Sequence, residues 1–350
     1  MTPTEDYVIE NKRDNTHNKK TENMTRDKKD LRIVFFGTPE FAVESLDRLV
    51  KGGYNVVGVV TMPDKVGGRG NKVVQSAVKL YAVEHGLNLM QPEKLKDPGF
   101  IEQLRSLKAD LQIVIAFRMM PEVVWAMPPL GTFNLHASLL PKYRGAAPIN
   151  WAVMNGDTET GVTTFFLKHE IDTGDVIQQR KLPIAETDNV GVVYDRLMMM
   201  GADMVIETVD AILRDDVRPI PQEELCDSGM EATPAPKIFT ETCHIDWNRD
   251  SRSIYNQIRG LSPYPAAWTE IADVAGKLHH AKIYATALPS DDALARIIST
   301  DGAVKPGVMT TDGRRLKIAC GDNRWIEITS IQIAGKRRMT TEEFLRGFRL

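Results

Sequence analysis

Sulfur chemistry is nearly absent from this chain: 350 residues hold three cysteines, Cys226, Cys243 and Cys320. Their wide, unrelated spacings supply neither a disulfide framework nor a zinc pattern. They read as small core residues of a protein kept in a reducing cytoplasm, and no metal is expected. No apolar stretch approaches the roughly 18 residues that a membrane-crossing helix needs. The first thirty residues, MTPTEDYVIENKRDNTHNKKTENMTRDKKD, are polar and charge-mixed and lack the apolar centre of a signal peptide. A cytoplasmic protein without a membrane partner is therefore expected. Nothing in the chain demands a second subunit, so a monomer is expected too. The two common nucleotide signatures are also missing. The first apolar run is followed by GTPEFA, which holds a single glycine, Gly37, where a dinucleotide fingerprint needs G-x-G-x-x-G. No G-x-x-x-x-G-K-[ST] loop occurs anywhere, so NAD- and ATP-dependent chemistry loses its main support.

What is present is an ordinary globular composition, 42% hydrophobic and 26% charged, with length enough for two domains. From Leu31 onward, Val/Ile/Leu/Phe runs alternate with segments of helical periodicity. LRIVFF, NVVGVVT, DLQIVIAF and GTFNLHA read as strands, while FAVESLDRLV, VVQSAVKLYAVEHG and FIEQLRSLKA read as helices. That alternation predicts an α/β fold built on a doubly wound, mostly parallel, Rossmann-like sheet covered on both faces. Short helices are expected near Pro121–Ala126 and Pro148–Met154, then two strands around a polar bend, then a long helix through NVGVVYDRLMMMGADMVIETVDAILR. The stretch DDVRPIPQEELCDSGMEATPAPK is rich in proline and acid and has no periodicity, which marks a linker. Beyond it lie one helix and a series of short alternating segments with Gly/Asp turns, the pattern of a small barrel or sandwich. The resulting boundaries are a disordered extension over 1–29, a first domain over 30–215, a linker over 216–236 and a second domain over 237–350. From Lys237 onward there are 17 Lys+Arg against 13 Asp+Glu, net +4, whereas the remainder carries 27 against 34, net −7. An excess of positive charge in one domain fits either a polyanionic partner or a plain solvated surface.

One stretch stands out: FNLHASLLPKYRGAAPIN, Phe133 to Asn150. Asn134 and His136 fall at the end of a strand, where open α/β sheets bind their ligands, and strand alternation turns both to one face. Further on, HEIDTGDV offers Asp172 at a bend closed by Gly174. An amide, an imidazole and a carboxylate meeting at one sheet edge suit acyl transfer to an amine. The amide N–H₂ and a protonated imidazole can donate to a developing oxyanion, and the carboxylate can hold the imidazole protonated and relay the proton of the attacking amine. The competing reading is a structural histidine beside an unrelated turn.

These residues carry a resemblance. FNLHASLLPKYRG with IDTGD downstream resembles the signature of the folate-dependent formyltransferases. RIVFFGTPEFAV, RGAAPIN, GDTETGVT, IDTGD and SPYPAAWTEI, in that order from Leu31 to the C-terminus, resemble the branch of that family that acts on methionyl-tRNA. The resemblance implies 10-formyltetrahydrofolate as formyl-donor co-substrate and, as acceptor, the α-amine of methionine carried by initiator tRNA. It assigns catalysis to Asn134, His136 and Asp172, the tetrahydrofolate site to Ser138, Leu139, Leu140 and Pro141, and an OB-like barrel that tracks tRNA to the second domain. One departure is visible: where the family usually reads Ala-Tyr-Gly, this chain has AFRMMP, with Phe117 and Arg118.

For the tRNA, the loop MPDKVGGRGNKVV sets Lys65, Arg69 and Lys72 among Gly67, Gly68 and Gly70. Flexible backbone with spaced cations suits a phosphate-binding arm, and the resemblance gives Arg69 the leading contact at the acceptor end. In the second domain the candidates are Arg315 and Lys317, with Arg314 turned elsewhere, and the run Lys336, Arg337, Arg338. The rival functions are a formyltransferase for a small amine such as glycinamide ribonucleotide or an amino sugar, a folate hydrolase, and a non-catalytic RNA-binding protein. A basic glycine-rich loop and a basic second domain argue against a small acceptor, which requires neither.

Overall fold

The computed structural model describes residues 27–67, 72–227, 231–287 and 305–350. Most of the expected disordered extension therefore lies outside the described residues. Where that extension enters them, Asp27–Asp30 forms a turn closed by Asp30 N–H donating to Asp27 O at 2.9 Å. By contact density the chain divides into two compact units. One holds the residues up to Arg144, Gly161–Leu182 and Asp195–Pro234, and the other holds Gly145–Thr160, Pro183–Tyr194 and Ala235–Leu350.

The first unit is organised by a seven-stranded sheet of β1 (Arg32–Gly37), β2 (Asn55–Val60), β3 (Leu89–Met90), β4 (Leu111–Ile115), β5 (Thr132–His136), β6 (Glu159–Phe166) and β7 (Val176–Pro183). Their order across the sheet is β7-β6-β5-β4-β1-β2-β3. The pairs β1–β2, β1–β4, β2–β3 and β4–β5 are parallel, and β6 runs antiparallel to β5. The expected parallel α/β sheet is present. Its strands lack polar/apolar alternation because both faces are covered: in β1, Val34 and Phe36 pack into one cluster with Val60, Met90, Phe100, Leu104 and Val114, while Ile33 and Phe35 are buried as well.

The helices start where their sequences cap them. In α1 (Glu40–Lys51), Phe41, Leu46 and Leu49 recur at helical spacing and are buried, Glu40 sits in the first turn and Arg48 and Lys51 in the last, matching the helix dipole. Helix α2 (Ala77–Glu84) is capped by Ser76 and α3 (Pro98–Ser106) by Asp97, whose carboxylate accepts from Phe100 N–H, with Pro98 at the first helical position. The short α4 (Glu122–Trp125) follows β4.

The second unit is a curled antiparallel half-barrel. Its sheet joins β8 (Ala267–Ala272), β9 (Leu278–Thr286), β10 (Met309–Thr311), β11 (Leu316–Ala319), β12 (Trp325–Ile333) and β13 (Met339–Thr340), in the order β8-β9-β12-β11-β10 with β13 also on β12. Alternation shows here with one break: Ile326 and Ile328, then past a register shift Ile331 and Ile333 of β12, face a core shared with Ile254, Ile258 and Leu261 of a buried helix over Ser251–Leu261. The expected helix at Pro148–Met154 forms, and Gly260 lies so close to Met154 that an added Cβ would sit 2.4 Å from its Cγ.

Two segments differ from expectation. The loop around Lys65 and Lys72 is an antiparallel hairpin of two short strands, Lys65–Gly67 and Lys72–Val74. The segment expected as a linker carries a short helix over Gln222–Asp227, and before it Ile220 pairs with Val176 at the start of β7 through two 2.8 Å hydrogen bonds. Backbone pairing and single buried anchors hold this segment, and neither leaves a periodic apolar face to read.

Candidate active site

Asn134 and His136 project from β5. Asn134 lies beside Val114 of β4 and Phe165 of β6, and His136 beside Thr163 of β6. Between β6 and β7 the chain bends through Asp172, whose φ is 55°. That bend brings the Asp172 Oδ2 to 3.9 Å from the His136 Nδ1, with the two side chains only 11% and 7% exposed. The expected imidazole and carboxylate do meet, nearly closed off from solvent.

The other ring nitrogen fixes the proton arrangement. His136 Nε2 lies 2.8 Å from Tyr143 O, and a carbonyl can only accept, so Nε2 carries a hydrogen. Any proton the ring gains or gives toward substrate is therefore on Nδ1, the atom facing Asp172. The 3.9 Å separation exceeds a direct hydrogen bond. Beside them the Asn134 Oδ1 is buried without a protein hydrogen-bond partner. A buried acceptor left so costs about 1–3 kcal/mol.

Three non-glycine residues around this site hold left-handed backbone: Ala116 after β4 (φ 46°), Tyr143 (φ 62°) and Asp172. Strain of this kind persists where the surroundings over-determine it. At Tyr143 the restraint is Thr233, whose hydroxyl accepts from Tyr143 N–H at 3.0 Å and whose carbonyl accepts from Arg144 N–H at 3.0 Å. Thr233 carries no motif of its own, so its part here is not foreseeable from the sequence.

Ser138, Leu139, Leu140 and Pro141 are all buried, Ser138 and Leu140 completely. Their loop is tied inward: Thr163 Oγ1 donates to Ser138 O at 2.7 Å, Leu140 O accepts from Gln179 Nε2 at 2.6 Å, and Ser138 Oγ donates to Lys142 O at 2.6 Å. Leu139 packs so closely on Gly161 that an added Cβ would come within 2.5 Å of it.

The departure at Phe117–Arg118 also has a structural account. Phe117 packs edge-on against Phe36 with centroids 5.6 Å apart. Arg118 donates from Nη1 to Glu93 O at 2.7 Å and from Nη2 to Pro92 O at 2.5 Å. Burial pulls its guanidinium below the usual arginine value. The side chain thus ties the turn after β4 to the segment 91–94, which lines a cleft of about 630 Å³ with Met90, Lys94 and Phe100.

The basic candidates are distributed as follows. Lys65 is exposed on its hairpin and Lys72 lies on the paired strand, while Arg69 falls outside the described residues. Lys317 alternates with the buried Leu316 and Ile318 of β11. Arg315 pairs with Asp312 at 2.9 Å, and the backbone N–H groups of Arg315 and Arg314, with that pairing, hold the carboxyl well below the usual range. Arg337 pairs with Glu343 at 2.8 Å, Arg338 lies over the Tyr284 ring at 4.4 Å, and Lys336 is exposed. Exposed pairs of this kind are screened by solvent and add little to stability. Among the described residues no group of three or more His, Cys, Asp or Glu could hold a metal ion, and no helix is long and apolar enough to cross a membrane.

Residues 31–209 match the formyl transferase family model and residues 237–349 the model of the formyl transferase C-terminal domain. A methionyl-tRNA formyltransferase from Bacteroides fragilis is 61% identical over 325 residues, covering 92% of this chain and 97% of that protein. One from Azobacteroides pseudotrichonymphae is 51% identical over 90% of this chain and 95% of its own length. Among solved structures, WlaRD, a sugar 3N-formyl transferase determined with dTDP and 5-N-formyl-THF, has a TM-score of 0.61 at 18% identity, covering 88% of this chain and 99% of that one. HypX from Aquifex aeolicus in complex with tetrahydrofolic acid has a TM-score of 0.58 at 21% identity, over 91% of this chain and 48% of that one; both likenesses concern the fold. With the family models spanning most of its length and relatives of this identity along nearly all of theirs, the chain belongs to the formyl transferase family.

Proposed function

We propose that this protein transfers the formyl group of 10-formyltetrahydrofolate to the α-amine of methionyl initiator tRNA. The observation that carries the chemistry is the approach of His136 Nδ1 and Asp172 Oδ2 at 3.9 Å beside Asn134; the acceptor follows from relatives of that activity at 61% identity. The methionyl amine attacks the formyl carbon and its nitrogen–carbon bond forms. Asn134 Nδ2–H and His136 Nδ1–H donate to the oxygen as it gains charge. Asp172 takes the proton that the amine loses and passes it, directly or through water, to N10 of tetrahydrofolate as the carbon–N10 bond breaks. The deciding experiment offers the purified protein formylated folate with charged initiator tRNA, charged elongator tRNA or glycinamide ribonucleotide. Transfer to the first alone is expected; equal transfer to the small amine would overturn the acceptor assignment.

On this reading residues 30–215 form the catalytic domain, 216–236 its connection, and 237–350 the tRNA-binding domain of a cytoplasmic monomer. Ser138, Leu139, Leu140 and Pro141 shape the folate site as packed scaffold. Arg118 braces the rim of the cleft beside segment 91–94 with two charged-donor hydrogen bonds, worth about 1.5–3 kcal/mol each. Arg118→Gly is expected to raise KM for the formylfolate roughly tenfold with kcat little changed, as steady-state kinetics at saturating tRNA would register.

Lys65, Arg69 and Lys72 meet the acceptor end, and Arg315, Lys317, Lys336, Arg337 and Arg338 follow the tRNA backbone. Arg69→Ala is expected to lower kcat/KM for charged tRNA roughly tenfold and to flatten the slope of log affinity against log salt by about 1. An unchanged slope in filter binding would remove Arg69 from the phosphate contacts.

A further inference from the structure

The bend that carries Asp172 is gripped by a side chain outside the catalytic signature. Gln222 is fully buried. Its amide nitrogen donates to Asp172 O at 2.9 Å and to Gly174 O at 2.8 Å. Its Oε1 accepts from Arg144 Nε at 3.1 Å and Nη2 at 2.7 Å. Arginine can only donate, so the guanidinium turns the amide oxygen toward itself and both amide hydrogens toward the bend. A charged donor on the oxygen also strengthens the two bonds on the far side. The pairing of Ile220 with Val176 delivers Gln222 to this place, just past the end of the bend. One side chain thus spans the carbonyls of Asp172 and Gly174 and holds a residue whose backbone is left-handed.

We propose that Gln222, oriented by Arg144, is a positioning residue for the formyl-transfer reaction: it fixes the Asp172 carboxylate against His136. The inference rests on the catalytic reading of Asp172 given above. A purely structural glutamine would predict lower stability and unaltered chemistry in the molecules that fold. A positioning glutamine predicts a loss that vanishes once Asp172 has nothing left to contribute.

The experiment is a double-mutant cycle on the full chain, with Gln222→Leu, Asp172→Asn and the pair, read as single-turnover formylation of methionyl-tRNA well below each variant's Tm. Gln222→Leu should cut the rate roughly 10- to 100-fold, the scale of a misplacement near 1 Å, with KM for both substrates within about threefold. In the Asp172→Asn background the same change should alter the rate less than about twofold. Gln222→Met, close in volume and equally without donors, gives the same comparison if the leucine variant does not fold. A wild-type rate in Gln222→Leu, or an equal loss in both backgrounds, overturns the proposal. If Asp172→Asn retains the wild-type rate, the catalytic reading itself falls and this inference with it, an outcome that the single mutants already separate.

Discussion

Alanine at His136 is expected to lower the single-turnover rate of formyl transfer roughly 10³-fold. The ring has a single orientation available to it. Its Nε2–H is committed to Tyr143 O at 2.8 Å, so all exchange with substrate runs through Nδ1, and no neighbour replaces that atom when it is removed. Asn134→Ala should cost roughly 10²–10³-fold through loss of an oxyanion donor. The two together should cost less than the product, because they serve one developing charge. Since neither residue belongs to the basic surface, Kd for methionyl-tRNA should stay within about twofold, measured by filter binding on the same preparations. A single variant that keeps a tenth of the wild-type rate would remove that residue from the reaction.

The second large effect is on stability. An added Cβ at Gly174 would lie 1.6 Å from the carbonyl oxygen of Phe166, and that backbone cannot yield without unpairing the end of β6. Gly174→Ala is therefore expected to destabilise the first unit by about 3 kcal/mol or more, lowering its Tm by roughly 6–12 °C. Activity should fall even below that Tm, since the residue that moves is two positions from Asp172. A variant with unchanged melting would mean that the bend has slack that the geometry denies it.

The legible part of this protein was what repeats or what forms a motif. β1 announces itself as an Ile/Val/Phe run and β4 as a Leu/Ile/Val run interrupted only by the buried Gln112, because both faces of the sheet are buried, and α1 by the spacing of Phe41, Leu46 and Leu49. Asn134, His136 and Asp172 could be named because short-range alternation and a DTG bend are local features. Gln222 could not: it is joined to Asp172 across fifty positions of chain by hydrogen bonds to carbonyls, and any residue type offers a carbonyl. Thr233 went unread for the same reason. That Leu139 and Leu140 are packed inside the protein is likewise not legible in their motif, since composition reports apolar character but not which way it faces.

The backbone passes from one compact unit to the other at Arg144/Gly145, Thr160/Gly161, Leu182/Pro183, Tyr194/Asp195 and Pro234/Ala235. Sequence order and spatial membership thus disagree, and the helix over Pro148–Met154, which precedes β6 in the chain, belongs with residues a hundred positions later. A protein stitched in this way cannot trade its second unit for another by one recombination event, because every joint would have to be matched at once. The two halves are bound to be inherited, and to drift, as a single block.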